Sequence, residues 1–380
     1  MDKKSVVLIA NYLPDKQESM ERFASLLKTG FEQASIKVTI WRPKRIFAPG
    51  FSNTSKGVAK WLGYIDKWVM FPMIIYLKCR FNSSGYKKLH FHVCDHSNAP
   101  YLNYLPKKRS SITCHDVLAI RGAFGYEDAY CPASVFGKVL QKWILRHLKR
   151  ARKVACVSQL TYNQLKSLVD NSELNGWQVI HNSLNDNFYK MSDEESKRLV
   201  AQSGFKWTQP YILHVGSNLP RKNRKILIDM LNIMGSGWKG NVCFAGQQID
   251  SKLRLYIEEL NLQHRVFDVL KPSNEILISL YNRCDAFIFP SFSEWFGWPV
   301  IEAQMCGAPV IASNIEPMPE IGGSGVLYAN PHIANDFVAA FYTLKNLEFK
   351  NQLISSGFEN TKRFNKQDMI AKYVSLIFYS

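Results

Sequence analysis

Two carboxylates seven residues apart stand in a stretch whose pattern predicts a strand-to-helix turn. The stretch Ser291-Phe-Ser-Glu-Trp-Phe-Gly-Trp-Pro-Val-Ile-Glu302 carries Glu294 and Glu302. The apolar run 285–290 before it is typical of a buried strand, and Pro299 suits the first position of a helix. Acids at the end of a strand can bind hydroxyls, and the N–H groups of a helix start can bind a diphosphate. The stretch therefore predicts a sugar-nucleotide site, unless Glu294 only caps the helix and Glu302 is only solvated.

A second stretch places two cations after a predicted strand. The apolar run 211–216 ends in Gly216, which permits a tight exit, and Ser217 opens a loop that leads to Arg221 and Lys222. Cations at this position can balance charge that develops on a phosphate. The alternative for two adjacent basic residues in a loop is simple solvation.

These residues need a scaffold, and the chain alternates strand-like and helix-like segments throughout. Such alternation predicts an α/β fold with parallel sheets. A chain of 380 residues with 46% hydrophobic content is long enough for two domains with cores of their own. The first predicted loop, between a strand at 5–10 and a helix from residue 20, contains Glu18 and Ser19 and should lie near a point where ligands bind.

Charge is distributed unevenly along the chain. Of the formal net charge of +17, residues 1–190 carry +16, from 29 Lys and Arg against 13 Asp and Glu. Such polarity predicts contact between the first half and a polyanion, either an anionic membrane or nucleic acid. Two segments, 61–77 and 137–153, combine aromatic or apolar residues with cations, and each is either a helix packed on the first domain or an interfacial helix.

Cysteine usage and terminal segments indicate a compartment. The eight cysteines form no Cys-x-x-Cys pair and mostly lie in apolar runs, as reduced core cysteines do. We find neither a signal peptide nor a run of the roughly 20 apolar residues that a membrane span requires. The sequence therefore predicts a cytoplasmic protein.

The first candidate stretch resembles the Glu-x7-Glu signature of the retaining glycosyltransferases of family four. Trp295 stands where that family usually has Gly, and Trp298 where Leu is common. The resemblance implies the GT-B fold, which is two Rossmann-like doubly wound domains facing across a cleft. The matching residues are Pro290-Ser291, Glu294, Phe296-Gly297, Pro299, Glu302-Ala303 and Cys306-Gly307-x-Pro309.

The resemblance also implies roles for individual residues. Glu294 would bind hydroxyls of the donor sugar, Glu302 would hold the ribose, and Lys222 is the best-matched residue of a phosphate-clamping segment. The expected catalytic residues are His115, Glu294, Arg221 and Lys222. The expected donor-binding residues are Gly216, Ser217, Phe296, Gly297, Trp298, Pro299, Val300 and Glu302, and the acceptor side would comprise Asp95, His96 and Asp116.

The expected domains are an acceptor-binding domain at 1–195, a nucleotide-sugar-binding domain at 196–362 and a C-terminal helix at 363–380 that crosses back to the first. No Asp-x-Asp pair occurs, and His90 and His92 have no clear third ligand, so we expect neither a metal nor another cofactor.

The sequence thus predicts a metal-independent, retaining hexosyltransferase of cell-surface polysaccharide or lipopolysaccharide biosynthesis. Its donor would be GDP-mannose or a UDP-hexose, and its acceptor a glycan or a lipid-linked glycan. We expect a peripheral position on the inner face of the membrane, with an anionic membrane surface but no nucleic acid as partner. The alternative is a basic, non-catalytic nucleic-acid-binding protein, which would leave the acid pair unexplained and for which we recognise no module.

Overall fold

The computed structural model describes residues 4–54, 56–81, 88–169, 175–184, 187–202 and 209–379. The chain divides into two compact units. Unit 1 comprises residues 1–185 and 366–380, and unit 2 comprises residues 186–365. The boundary expected from the sequence, at 195, lies within unit 2, ten residues after the first unit ends.

Unit 1 is built on a parallel sheet of six described strands in the order β2-β1-β3-β4-β5-β6. Because β2 and β3 lie on opposite sides of β1, the chain changes direction there, and loops that follow β1 and β3 meet at a switch point. The strands are β1 Ser5–Ile9, β2 Lys37–Trp41, β3 His90–Val93, β4 Ser110–Cys114, β5 Val154–Cys156 and β6 Trp177–Val179. The helices are α1 Glu18–Gln33, α2 Gly57–Ile65, α3 Phe71–Phe81, α4 Leu118–Ala123, α5 Val135–Leu148 and α6 Gln159–Ser167.

Unit 2 repeats the scheme after a first helix, α7 Asp193–Gln202, with a parallel sheet in the order β12-β11-β10-β7-β8-β9. Its switch point lies at β7, between β10 and β8. The strands are β7 Tyr211–Gly216, β8 Asn241–Gly246, β9 Val266–Leu270, β10 Ala286–Phe289, β11 Val310–Ser313 and β12 Leu327–Ala329. The remaining helices are α8 Lys225–Met234, α9 Ser251–Glu259, α10 Asn274–Arg283, α11 Trp298–Met305, α12 Met318–Gly322, α13 Ala334–Thr343 and α14 Leu347–Thr361.

The last helix, α15 Lys366–Phe378, packs within unit 1. Its buried face, which includes Ile370 and Tyr373, joins the apolar core beneath α1 and β1. The Tyr373 hydroxyl lies 3.0 Å from Thr113 Oγ1 on β4. Residues at the two ends of the chain therefore share one core.

The first loop of unit 1 is shorter than the sequence predicted. Glu18 and Ser19 lie inside α1, whose N-cap is Gln17. No capping side chain is present at this helix start; the Gln17 carbonyl accepts the first helical bonds, from Met20 N and Glu21 N. A helix that begins without a capping side chain gives little signal in the sequence.

Candidate active site

A buried ion-pair cluster lies at the switch point of unit 2. Glu294 follows β10, and Arg221 and Lys222 lie in a short 3-10 turn after β7, the strand beside it. Lys222 Nζ is 2.5 Å from Glu294 Oε1, and Arg221 Nη1 is 2.9 Å from Glu294 Oε2. Two cations against one carboxylate leave the cluster with one positive charge, which suits an anionic ligand.

Burial and mutual attraction set the charge states of this cluster. Burial alone would raise the pKa of Glu294, but the charges of Lys222 and Arg221 outweigh it and hold that pKa below the ordinary value. Burial lowers the pKa of Lys222, and Glu294 opposes the shift. The Glu294 carboxylate is therefore ionised at neutral pH, and each oxygen keeps a lone pair for a further donor.

The loop that carries the two cations is tied to the segment after β10. Arg221 Nη1 also donates to the Ser293 carbonyl at 2.8 Å, while Phe292 N donates to the Arg221 carbonyl at 2.8 Å. Asn223 adopts a left-handed φ of 52° and donates to the Pro290 carbonyl at 3.1 Å. These bonds fix the position of the cations relative to Glu294.

A buried aromatic ring supports Lys222 on its other side. The Lys222 Nζ lies 4.7 Å from the centroid of the Phe289 ring, which stacks at 22° on the His214 ring. His214 is buried, and burial and then the charge of Arg224 lower its pKa to about 3, so it stays neutral. A Cβ at Gly216 would lie 3.3 Å from His214 Nε2 and 3.7 Å from Lys222 Cδ, so glycine keeps room for the lysine stem.

The predicted anion-binding helix start is present, with one difference in its first residue. Helix α11 begins at Trp298, so Pro299 is the second helical residue and not the first. Gly297 is the N-cap with φ 103°, and a Cβ there would approach Met318 Cε to 2.7 Å. Glycine is thus required both for the backbone conformation and for the space.

The side chains around this helix start form an aromatic wall. Phe296 and Val300 are fully buried, and Val300 N donates to the Gly297 carbonyl at 2.9 Å. The Trp295 and Trp298 rings meet edge to face with centroids 5.2 Å apart. The two tryptophans that depart from the family pattern therefore contact each other.

Glu302 lies on α11 with a partner different from those of Glu294. The Tyr281 hydroxyl on α10 donates to Glu302 Oε2 at 3.0 Å, and Tyr281 is completely buried. Burial and then the charge of Glu302 raise the Tyr281 pKa far above its ordinary value. The tyrosine therefore remains a hydrogen-bond donor and fixes the orientation of this half-buried carboxylate.

In unit 1, the structure brings together Asp95, His96, His115 and Asn11, at the ends of β3, β4 and β1. Asp95 Oδ2 accepts from Asn11 Nδ2 at 2.6 Å, and His96 Nδ1 is 3.3 Å from Asp95 Oδ1. Burial would raise the Asp95 pKa, but His96, His115 and these bonds hold it below the ordinary value. Asp95 is therefore a buried, ionised carboxylate.

The side chains of His115 and Asp116, just after β4, have different partners. His115 Nε2 lies 2.9 Å from the Cys94 carbonyl, and its ring meets the Phe23 ring edge to face at 4.6 Å. Burial lowers the His115 pKa, against the opposing charge of Asp95. Asp116 Oδ1 instead accepts from Leu118 N, the first residue of α4, at 2.9 Å.

The histidines of β3 have structural contacts. His92 lies between Ser111 Oγ at 2.8 Å and Thr113 Oγ1 at 2.9 Å, and His90 Nδ1 lies 2.9 Å from the Ile377 carbonyl. Within the described residues, no three His, Cys, Asp or Glu side chains are grouped so as to hold a metal ion.

Sequence reasoning missed four residues of these sites: Asn11, His214, Tyr281 and Phe289. Asn11 lies two residues after the end of β1, at a switch point, and this position could have identified it. The patterns around Tyr281 and Phe289 predict only aromatic residues of the core. Their contacts with the site depend on which strands and helices are neighbours in space.

Comparisons with known proteins show which families and folds this chain is similar to. Residues 195–359 match the family model "Glycosyl transferases group 1". Among curated proteins, the chain is 26% identical over 288 residues to the O-antigen chain mannosyltransferase RfbU of Salmonella typhimurium, across 73% of this chain and 72% of that protein.

Solved structures match over the full length. The sucrose-phosphate synthase of Thermosynechococcus elongatus superposes with a TM-score of 0.74 at 19% identity, covering 98% of both chains. HepE of Anabaena, solved with UDP and glucose, superposes with a TM-score of 0.71 at 16% identity, covering 99% of both chains. The predicted α/β fold with two Rossmann-like sheets is confirmed by these structures, and residues 195–359 of unit 2 are similar to the group 1 glycosyl transferases.

Proposed function

We propose that the protein transfers a hexose from a nucleoside diphosphate sugar, GDP-mannose or a UDP-hexose, to a glycan or lipid-linked acceptor of cell-surface polysaccharide or lipopolysaccharide. The observation that carries the proposal is the buried cluster of Glu294, Arg221 and Lys222, with its single surplus positive charge. The names of the relatives support it, since RfbU is an O-antigen mannosyltransferase and HepE was solved with UDP and glucose. The comparisons give the nucleic-acid alternative no support.

The donor would lie along the carboxyl ends of β7 and β10. Glu294 accepts hydrogen bonds from hydroxyls of the sugar, and Glu302, oriented by Tyr281, accepts them from the ribose. Arg221, Lys222 and the start of α11, including the backbone from Phe296 to Val300, face the diphosphate. Gly216 and Ser217 form the other side of this site. In unit 1, Asp95, His96 and Asp116 bind the acceptor, and His115 contributes to the reaction centre.

The reaction proceeds with retention of the anomeric configuration and without a metal or other cofactor. As the bond between the sugar and the diphosphate breaks, negative charge grows on the phosphate oxygens, and preorganised cations stabilise that charge. The departing phosphate takes the proton of the acceptor hydroxyl on the same face, so no carboxylate nucleophile is needed. Lys222 and Arg221 supply the charge balance.

A donor screen tests this function. Each nucleotide sugar is incubated with the enzyme in EDTA, with and without extracted cell-surface glycan, and release of nucleoside diphosphate is followed. We expect turnover with one mannosyl or hexosyl donor, and a product of unchanged anomeric configuration by NMR. Release that requires a divalent cation would contradict the metal-independent mechanism, and an inverted product would contradict retention.

We further propose that unit 1 binds the inner, cytoplasmic surface of an anionic membrane. The helical run α2, a five-residue π-helical turn and α3 exposes apolar side chains along one side, among them Val58 at 70%, Trp61 at 54% and Val69 at 58%. Val135 and Val139, at the start of α5, are 83% and 62% exposed. We call these five residues the apolar stripe.

The two elements of the apolar stripe are joined by aromatic contacts, and exposed cations lie on or beside the same helices. The Phe136 ring contacts the Trp61 ring at 5.0 Å and the Tyr64 ring at 5.9 Å. Exposed apolar and aromatic groups beside cations fit the headgroup region of a bilayer, where Lys and Arg attract anionic lipids. The neighbouring exposed cations are Lys56, Lys78, Arg80, Lys138, Lys142 and Arg146.

Vesicle sedimentation tests membrane binding separately from catalysis. We expect binding to anionic but not neutral vesicles at low salt, weakened by salt because exposed charges are screened. Trp61→Ser should weaken binding, whereas Leu347→Ser, a matched exposed position in unit 2, should not. Equal binding to neutral and anionic vesicles at low salt would remove the electrostatic part of the proposal. As for crossing a bilayer, no described helix is both long and apolar enough.

A further inference from the structure

Unit 2 contains a cavity of about 580 Å³ that the proposed donor site does not use. It lies between residues 218–225 and helix α9, and Phe292 forms a third wall. Among the described residues, Arg221, Lys222, Glu294 and Glu302 do not line it. Its volume is within the range of small-molecule sites, which is about 300–1,000 Å³.

The cavity wall contains a buried cation without a carboxylate partner. Arg224 is 5% exposed, and its guanidinium donates to the Gly216 carbonyl at 2.5 Å, to the Gln247 carbonyl at 3.0 Å and to Asn218 Oδ1. All three acceptors are neutral. In the part of the chain that the structure describes, no carboxylate lies within ion-pair distance of Arg224, and its Nε has no acceptor.

This cation is charged at neutral pH, and buried charges are normally paired. Burial lowers the Arg224 pKa to about 10, opposed by the more distant Asp250 and Asp268, so the guanidinium keeps its proton. An isolated buried charge is costly, whereas one that meets an anion is not. The wall therefore favours a ligand with negative charge.

The remaining walls are largely apolar. Leu253, Leu255, Tyr256 and Phe292 line the cavity, with exposed Lys252 at its edge. Lys225 also lines it but is already paired with Asp229 at 2.8 Å. Two carboxylates are present as well, Glu259 and Asp250, and Asp250 is occupied in part by capping Leu253 N at 3.0 Å.

We propose that this cavity is a second ligand site, which binds a small organic anion with an aromatic or apolar body. The anionic group lies toward Arg224 and Lys252, and the body packs against Leu255, Tyr256 and Phe292. The site is separate from the donor site and does not depend on the proposed reaction.

Two fluorescent probes with the same ring system test the two parts of this proposal, which are recognition of the negative charge and recognition of the aromatic body. The sulfonate 1-anilinonaphthalene-8-sulfonate carries the charge, and N-phenyl-1-naphthylamine lacks it. Titrations use the full chain without donor, so their outcome is independent of glycosyltransfer. Lys252→Glu reverses a charge at the edge, and Leu255→Glu places a charge against the apolar wall at a side chain that is 60% exposed.

We expect Lys252→Glu to weaken the sulfonate about five- to tenfold while changing the neutral probe less than about twofold. Leu255→Glu should weaken both probes. The controls Lys239→Glu and Leu347→Glu change matched exposed residues elsewhere in unit 2 and should alter neither. Any probe that binds the apolar stripe of unit 1 adds the same fluorescence in every variant, because all the substitutions lie in unit 2. Unchanged sulfonate binding in Lys252→Glu, or equal losses in the cavity variants and the controls, would overturn the proposal.

Discussion

Lys222 contacts both the Glu294 carboxylate and the Phe289 ring of the candidate active site. Removing its side chain therefore tests what this cation contributes to the reaction. In the proposed reaction, the Lys222→Ala variant lacks one of the two cations that would balance the growing charge on the leaving phosphate, while Arg221 still pairs with Glu294 at 2.9 Å. Loss of one such transition-state donor typically lowers turnover by about 10²–10³-fold. We expect kcat to fall by that factor and KM to change much less.

Steady-state kinetics with the preferred donor check this expectation, with Lys225→Ala as the control. Lys225 lies three residues along the chain but is exposed and paired with Asp229. Circular dichroism must show that Lys222→Ala is folded. A variant that keeps its kcat but binds donor poorly would show that Lys222 contributes equally to ground state and transition state.

Glu302 and Tyr281 form a pair in which one residue would bind the ribose and the other would orient it. Glu302→Ala removes the carboxylate, and losing hydrogen bonds to a charged group costs roughly 1.5–3 kcal/mol of donor binding. Tyr281→Phe keeps the carboxylate but removes the bond at 3.0 Å, so affinity should fall less. Nucleotide titration by tryptophan fluorescence measures both; unchanged affinity in folded Glu302→Ala would rule out the ribose role.

Residue types were predictable in this site, but their partners were not. Glu294, Arg221 and Lys222 were each singled out from local pattern, yet the ion pair joins positions 72 residues apart. It exists because β7 and β10 are neighbours in the sheet, an adjacency that chain order does not specify. For the same reason no local pattern indicates that Tyr281 orients Glu302.

At the scale of elements, apolar runs located the strands. The predicted strand at 211–216 coincides with β7, and the apolar run 285–290 encloses β10. Gly216, which ends β7, is paired in register with Gly246 at the end of β8. The start of α1 was wrong because its N-cap, Gln17, makes no side-chain capping bond. The pattern of a buried strand lies in the residues of the strand itself, whereas a helix start without a capping side chain has no characteristic residue type.

Helices α1 and α15 meet at a position that only glycine fits. A Cβ at Gly30 would overlap the Ile370 side chain, which is 5% exposed. Gly30→Ala gains about 1 kcal/mol in helix propensity but overpacks a core, which typically costs about 1–3 kcal/mol. We expect overpacking to win and the free energy of unfolding of unit 1 to fall.

A double-mutant cycle isolates this contact. Ile370→Ala should destabilise by about 2–5 kcal/mol through the cavity it leaves. Because the added methyl group of Gly30→Ala can occupy that cavity, the double variant should be more stable than the sum of the single changes, by about 0.5–3 kcal/mol. Urea denaturation measures each corner of the cycle, and Gly50→Ala, where a Cβ meets nothing within 4 Å, is the control. Strictly additive changes in the free energy of unfolding would show that the side chains at positions 30 and 370 do not interact.

At the scale of the whole molecule, each unit contains a histidine that is buried neutral. Burial, then the charge of His115, lowers the His92 pKa in unit 1 to about 3, and His214 in unit 2 is lowered to about the same value. In the unfolded chain both should titrate near the ordinary histidine pKa of 6.5. Between pH 6.5 and about 3 the unfolded chain therefore binds protons that the folded chain does not.

Stability must consequently fall as the pH drops through that window, by up to about 1.4 kcal/mol per pH unit for each histidine. We expect His92→Gln and His214→Gln each to flatten the dependence of unfolding free energy on pH between 6 and 4, although both lose stability at pH 7. His264→Gln, which changes an exposed histidine, should leave the slope as it is. Urea denaturation at a series of pH values measures the slopes, and a steep acid loss that survives in both buried variants would mean that carboxylates such as Glu294 and Asp95, and not these histidines, dominate it.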